Sequence, residues 1–131
     1  MEYSRNNFSI SDDRKKVDVE MVHAFLTRSY WAKGIPVDVV RRCVDRSLCF
    51  SVFDNASQIG FARIISDCAT FAYLADVFIL DSYRGRGLSK WLMDCIIRHP
   101  DLQGLRRWML FAKKRHQDIS KQPDSTTKQI P

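Results

Sequence analysis

The hydrophobic and polar positions of the chain repeat with two periods, and this pattern predicts a mixed α/β fold. Apolar residues at helical spacing follow Asp18 and Pro36, two residues typical of helix starts, and a third apolar helix face follows Gly87. Short β-branched and aromatic runs bounded by polar turns predict strands. The predicted strands are 8–10, 48–53, 58–66, 71–80 and 107–112, and the predicted helices are 18–28, 36–47 and 87–98.

The strand predicted at 71–80 turns through two glycines into the helix predicted at 87–98. A helix start exposes backbone N–H groups without partners, and Arg84 and Arg86 add positive charge beside Gly85 and Gly87. The turn therefore predicts a phosphate or pyrophosphate site, although the glycines would also suit a tight turn alone and the arginines a solvated surface. A triphosphate loop and a dinucleotide fingerprint both fit poorly, since Lys90 stands where the latter needs its third glycine.

The same turn resembles a known family motif. Residues 82–87, Ser-Tyr-Arg-Gly-Arg-Gly, resemble the pyrophosphate-binding motif of the GCN5-related N-acetyltransferases, Gln/Arg-x-x-Gly-x-Gly/Ala, with Ser82 at the first position. The order of predicted strands and helices over residues 8–112 is also similar to that family. The sequence thus predicts an N-acetyltransferase domain of the acyl-CoA N-acyltransferase fold over 1–112, followed by a polar basic tail over 113–131.

The resemblance implies where a cofactor would bind. The strands 71–80 and 107–112 would be parallel neighbours that splay apart, with acetyl-CoA in the wedge between them and its pyrophosphate on the turn. Backbone N–H groups freed by the splay would pair with the cofactor. The cofactor-binding residues that follow are Phe78, Ile79, Arg84, Gly85, Arg86, Gly87, Leu88 and Ser89.

The predicted reaction is direct attack of a primary amine on the thioester of acetyl-CoA. Such a reaction needs orientation of the reactants, hydrogen bonds to the carbonyl oxygen and loss of a proton from the amine. Asp76 is the predicted base, because desolvation in an apolar strand makes a carboxylate a better proton acceptor; the alternative is a structural carboxylate. Trp31 and Tyr73 would line the site of a small-molecule or amino-group acceptor, with ordinary packing as the alternative for both.

Composition bounds the other function classes. The 131 residues are 45% hydrophobic, enough for one domain, and contain neither a membrane-spanning run nor a signal-peptide segment. The four cysteines lack metal or disulfide spacing and lie among apolar neighbours, so we expect buried free thiols, no metal site and a cytoplasmic location. The net charge of +6 comes without a dense basic and aromatic face, which argues against nucleic acid as the partner.

The resemblance breaks after the last predicted strand. Members of the family typically continue into a fourth helix and two further strands, and that helix often carries a tyrosine that protonates the departing thiolate. Residues 113–131 are polar instead, and this pattern predicts a flexible tail. The strand 107–112 would then be an exposed sheet edge, and a homodimer through that edge would cover it. The alternative function is accordingly a truncated, catalytically impaired relative that binds coenzyme A or a protein partner.

Overall fold

The computed structural model describes residues 1–111 and the strand 125–128, and these form one mixed sheet with three helices. The strands are β1 (Glu2–Arg5), β2 (Phe8–Ser11), β3 (Leu48–Asp54), β4 (Ser57–Ser66), β5 (Phe71–Ile79), β6 (Arg107–Phe111) and β7 (Ser125–Lys128). The helices are α1 (Val19–Leu26), α2 (Val37–Asp45) and α3 (Leu88–Arg98). The strands lie side by side in chain order, and every neighbouring pair is antiparallel except β5 and β6, which are parallel.

The helices cover opposite faces of this sheet. One core contains α3, whose Leu92 and Ile96 are fully buried against Phe50 and Ile64 of the sheet. The other core lies under α1 and α2 and contains Val22, Val40 and Phe61, among other residues. Burial of each large aliphatic side chain contributes about 1.5–3 kcal/mol, so both faces of the central strands are held in place.

The predicted helices and central strands are confirmed, with small differences at their ends. Asp18 caps α1 by accepting a hydrogen bond from the Met21 amide at 3.2 Å. Helix α1 stops at Leu26, before the predicted end at residue 28, because the backbone turns there into the loop that leads to α2. The cysteines are free, as expected, but Cys68 is exposed in the β4–β5 turn, so the expectation of burial is wrong for it.

Two strands were not predicted, and one of them changes the expected sheet edge. Strand β1 pairs with β2 through a hairpin turn at Asn6, whose φ is +53°. Strand β7 pairs with β6, from Trp108 opposite Lys128 to Phe111 opposite Ser125. Strand β6 is therefore not an exposed edge, and the expectation of one is wrong. The homodimer was predicted in order to cover that edge, so this argument for a homodimer no longer holds. The rest of the predicted flexible tail, 113–124 and 129–131, lies outside the described residues, as does residue 112 at the end of the predicted strand 107–112.

Candidate active site

The parallel strands β5 and β6 separate halfway along β5. They pair from Phe71 opposite Arg107 to Leu74 opposite Leu110, and β5 then continues to Ile79 without a partner on that side among the described residues. This confirms that the two strands are parallel neighbours that splay apart. Because a sheet edge exposes backbone N–H and C=O groups, the second half of β5 offers hydrogen-bonding groups to anything that lies in the opening.

A β-bulge marks the point of separation. On the β4 side, Arg63 faces Asp76 while Ile64 faces Leu74, so Ala75 is an extra residue in β5. A bulge bends its strand and increases the local twist. The bend starts one residue after the last pair with β6, so it turns the end of β5 away from its parallel neighbour.

Alternation along β5 decides which backbone groups face the opening. The Leu80 amide donates to the Ile59 carbonyl of β4 at 2.8 Å, so Phe78, two residues earlier, also directs its backbone groups toward β4. Val77 and Ile79 direct theirs to the open side, and the Ile79 carbonyl indeed accepts from Arg84 Nε at 3.3 Å. Of the two predicted backbone donors, Ile79 faces the opening and Phe78 does not.

The glycine turn leaves the start of α3 open. Gly85 and Gly87 have φ values of +80° and +76°, which favour glycine, and a Cβ at either position would meet no atom within 4 Å. Gly87 is the residue before α3, no side chain caps the helix, and its first turn contains no acidic residue. Leu88 and Ser89 are the first two residues of α3, so their backbone N–H groups have no partner within the helix; the Leu88 side chain itself is buried in the core. Free donors, a positive helix end and open space fit a pyrophosphate.

Both arginines of the turn have contacts that hold them beside it. Arg84 pairs with Asp81 at 3.1 Å in addition to the Ile79 carbonyl. Arg86 lies over the ring of Tyr83, 5.2 Å from its centroid. The Tyr83 hydroxyl donates to Asp54 at 2.6 Å, and this hydrogen bond raises the pKa of Tyr83. The guanidinium groups are exposed, and these contacts place them beside the turn.

A cleft of about 1010 Å³ lies beside the opening, between β5 and the loop that joins α1 to α2. The predicted residues Trp31, Tyr73 and Asp76 all line it, so the structure brings them together. Arg63 and Lys33 line it as well, among mainly apolar side chains that include Val22, Leu26, Ile35, Val40, Val44, Phe61 and Leu110. The glycine turn is not part of this lining; it follows β5, of which residues 73–77 line the cleft.

Asp76 is buried and fully engaged by two neighbours. Its Oδ2 accepts from Arg63 Nε at 2.7 Å, and its Oδ1 accepts from the Trp31 indole N–H at 2.7 Å. Arg63 also donates to the Ser47 hydroxyl at 3.2 Å. This network ties β4, β5 and the α1–α2 loop together. Its hydrogen bonds occupy both carboxylate oxygens, an arrangement suited to holding side chains in place rather than to taking a proton.

From the sequence, Arg63 was expected only to line the acceptor side, with ordinary packing as the alternative; it does line the cleft, but its pairing with Asp76 was not predicted. The signal that could have revealed it is a single cation in an apolar strand whose hairpin partner carries a single carboxylate, because opposite charges on neighbouring strands commonly pair. No such signal connects Trp31 to Asp76, which lie 45 residues apart. Among the described residues there is neither a helix long and apolar enough to cross a membrane nor a metal-binding cluster of His, Cys, Asp or Glu.

The opened strand pair and the glycine turn at its mouth are features of the acyltransferase class, and comparisons with known proteins agree. The model of the acetyltransferase (GNAT) family matches residues 11–120. A Gibberella zeae protein named as a candidate acetyltransferase is 30% identical in an alignment that covers 84% of this chain and 74% of that protein. The chain therefore belongs to the acetyltransferase (GNAT) family.

Solved structures share the fold. A crystal structure of a candidate GNAT acetyltransferase from Xanthomonas campestris pv. campestris has a TM-score of 0.80 and 50% identity, over 83% of this chain and 78% of that one. A GNAT acetyltransferase from Elizabethkingia anophelis with acetyl-CoA bound has a TM-score of 0.61 at 9% identity, over 81% of this chain and 65% of that one. The second likeness concerns the fold alone.

Proposed function

We propose that this protein is an N-acetyltransferase that moves an acetyl group from acetyl-CoA to a primary amine. The observation that carries the proposal is the opening between β5 and β6, with the uncapped start of α3 at one end and the cleft beside it. Acetyl-CoA would supply the activated acetyl thioester. The chain would bind it, hold the amine next to it and exclude water.

The residues around the opening would divide these tasks. The backbone amides from Gly85 to Ser89 would hold the pyrophosphate, with Arg84 and Arg86 adding charge. The open-side amides of Val77 and Ile79 would pair with the pantetheine arm and donate to the carbonyl oxygen where negative charge develops. Positioning of two reactants in this way lowers a barrier by about 7–11 kcal/mol in favourable cases.

Asp76 would act as a positioning residue in this mechanism. Its hydrogen bonds to Arg63 and Trp31 fix two walls of the cleft, and a carboxylate so engaged is poorly placed to accept the proton of the amine. The predicted general-base role remains the competing assignment, and the two differ in the pH–rate profile that each expects.

The test compares two glycines with the same backbone conformation. Gly87→Ala and Gly104→Ala each place a Cβ in open space at a φ of +76° or +70°, so both variants carry a similar strain of about 1–2 kcal/mol. Only the first obstructs the start of α3. Calorimetric titration of acetyl-CoA should show saturable binding that is at least about ten-fold weaker in Gly87→Ala, because the added methyl group would keep the phosphate from at least one backbone donor and so lose one charge-assisted hydrogen bond. Binding to Gly104→Ala should be near normal.

The controls separate the possible outcomes. ATP should bind more weakly than acetyl-CoA, and an Arg84→Glu/Arg86→Glu variant should lose affinity. Equal weakening by both glycine variants, or no binding of acetyl-CoA at all, would overturn the proposed cofactor site. Binding without acetylation of any amine would support the alternative, a relative that binds coenzyme A without turnover.

A further inference from the structure

The charges of the cleft are unequal. Among the described residues that line it, the ionised groups are Asp76, Arg63 and Lys33. Asp76 and Arg63 neutralise each other at 2.7 Å, with side chains only 8% and 17% exposed. No unpaired carboxylate is therefore left in the described lining to receive a cationic acceptor.

Lys33 is the cation without a counterion. It lies on the α1–α2 loop two residues after Trp31, is exposed, and makes no side-chain hydrogen bond or ion pair with any residue from 1 to 111. The carboxylate of Asp67, in the β4–β5 turn, is not in the lining and accepts hydrogen bonds within its own turn, from Thr70 and from the amides of Ala69 and Phe71. The described part of the cleft thus carries one net positive charge.

We propose that the acceptor is an amino acid with an apolar side chain, whose carboxylate pairs with Lys33; this inference rests on the proposed acetyltransferase function. An anionic group would gain a charge-assisted hydrogen bond from Lys33. An apolar body would remove from water the half-buried aliphatic side chains of the lining, such as Ile35 and Leu110, and the ring of Trp31, itself 38% exposed. A polyamine would bring charge of the same sign as Lys33 and find no free carboxylate.

The same pairing favours the reactive form of the amine. Desolvation disfavours an ammonium group, and Lys33 would neutralise the acceptor's own carboxylate, which stabilises that ammonium in water. A bound amino acid would therefore lose its ammonium proton to solvent more easily here than in water. The neutral nitrogen then forms the N–C bond as the C–S bond of the thioester breaks. The second nitrogen proton goes to solvent, and the departing thiolate takes a proton from solvent. This route needs no free carboxylate in the cleft, which agrees with the engagement of Asp76.

The test uses pairs of acceptors that differ in the carboxylate. L-phenylalanine and L-leucine are compared with L-phenylalaninol and L-leucinol, which keep the amine and the side chain, and with spermidine. Turnover is measured as release of free thiol from acetyl-CoA. Each kcat/KM is calculated with the concentration of the neutral amine, because the acids and the alcohols differ in the fraction that is neutral at one pH. The wild-type protein should prefer each amino acid over its alcohol by about ten-fold in kcat/KM, the effect of one charge-assisted hydrogen bond.

Two charge reversals identify the group that recognises the carboxylate. Lys33→Glu should abolish or invert the preference, whereas Lys15→Glu, an equal charge change in an exposed turn outside the cleft, should leave it unchanged. Equal use of acids and alcohols, preference for spermidine, or turnover of none of the five amines by a protein that binds acetyl-CoA would overturn the inference. Absence of acetyl-CoA binding would instead overturn the proposed function on which it rests.

Discussion

Replacement of Asp76 by Asn tests the central network of the site. The change keeps the shape of the side chain and removes its charge. The remaining carbonyl oxygen can accept from either Trp31 or Arg63, while the new amide group is a donor that faces another donor. Arg63 keeps its hydrogen bond to Ser47 at 3.2 Å but is left as a mostly buried, unpaired cation.

The magnitude follows from the burial of the pair. The side chains of Asp76 and Arg63 are 8% and 17% exposed, and loss of one partner from a buried ion pair costs about 3–5 kcal/mol. Because Ser47 still binds Arg63 and one acceptor survives, we expect the lower end, about 3 kcal/mol. For a chain of this length that corresponds to a fall in melting temperature of about 10 °C.

Urea unfolding gives the measurement, and Glu20→Gln is the matched control. Glu20 pairs with Arg41 at 3.0 Å, but the two side chains are 77% and 53% exposed, so the control should lose less than about 1 kcal/mol. Asp76→Asn combined with Arg63→Gln removes both charges and should recover most of the loss. A cost for Asp76→Asn equal to that of Glu20→Gln would refute the buried pair.

Kinetics of the same variants distinguish positioning from base catalysis. A positioning role predicts a raised KM for the acceptor, a pH–rate profile that keeps its acid limb, and partial recovery in the double variant. A general base predicts a loss of about 10²–10⁴-fold in rate, disappearance of that limb and no recovery. The second result would restore Asp76 as the general base and contradict its assignment as a positioning residue.

Two further predictions concern groups outside the cleft. Asp67 accepts hydrogen bonds, the strongest from Thr70, which hold its pKa well below its ordinary value of 3.8. Its ionised form therefore stabilises the fold above about pH 4, and this stabilisation is lost as the pH falls from there toward the lowered pKa. The difference in unfolding free energy between wild type and Asp67→Asn should therefore shrink in acid; a constant difference would contradict this. Burial raises the pKa of the Cys49 thiol to about 11. A thiol reagent at neutral pH should therefore modify the exposed Cys68 rapidly and Cys49 only on unfolding. The Cys68→Ser variant should lose the fast phase of modification, and a fast phase that persists would contradict this assignment.

Local pattern was sufficient for the helices and for β3, β4 and β5. Each is an apolar segment with one clear period between polar turns, so burial and local preference favour the same conformation. The start of α3 could also be predicted, because Gly85 and Gly87 satisfy backbone conformations that few other residues adopt. The conformation of this turn could accordingly be predicted from the sequence, whereas its role in cofactor binding stays a prediction.

Polar strands and distant partners could not be predicted in the same way. Strands β1 and β7 are mainly polar, and they are strands because neighbours β2 and β6 supply hydrogen bonds. Trp31 reaches Asp76 only through the path of the α1–α2 loop, which no local pattern encodes. Asp76 lines the cleft together with the predicted Trp31 and Tyr73, but its engagement by two partners depends on long-range contacts.

The bulge at Ala75 explains why the opening and the cleft occur together on β5. Four residues of β5 pack toward the α3 core: Ala72, Leu74, Val77 and Ile79. Leu74 and Val77 are three positions apart instead of the usual two, because Ala75 is an extra residue between Leu74 and Asp76. Beyond it the strand bends away from β6, while Asp76 still points into the cleft and pairs with Arg63. One inserted residue therefore frees the edge proposed to hold the thioester arm and, on the adjacent face, keeps the carboxylate that organises the acceptor side.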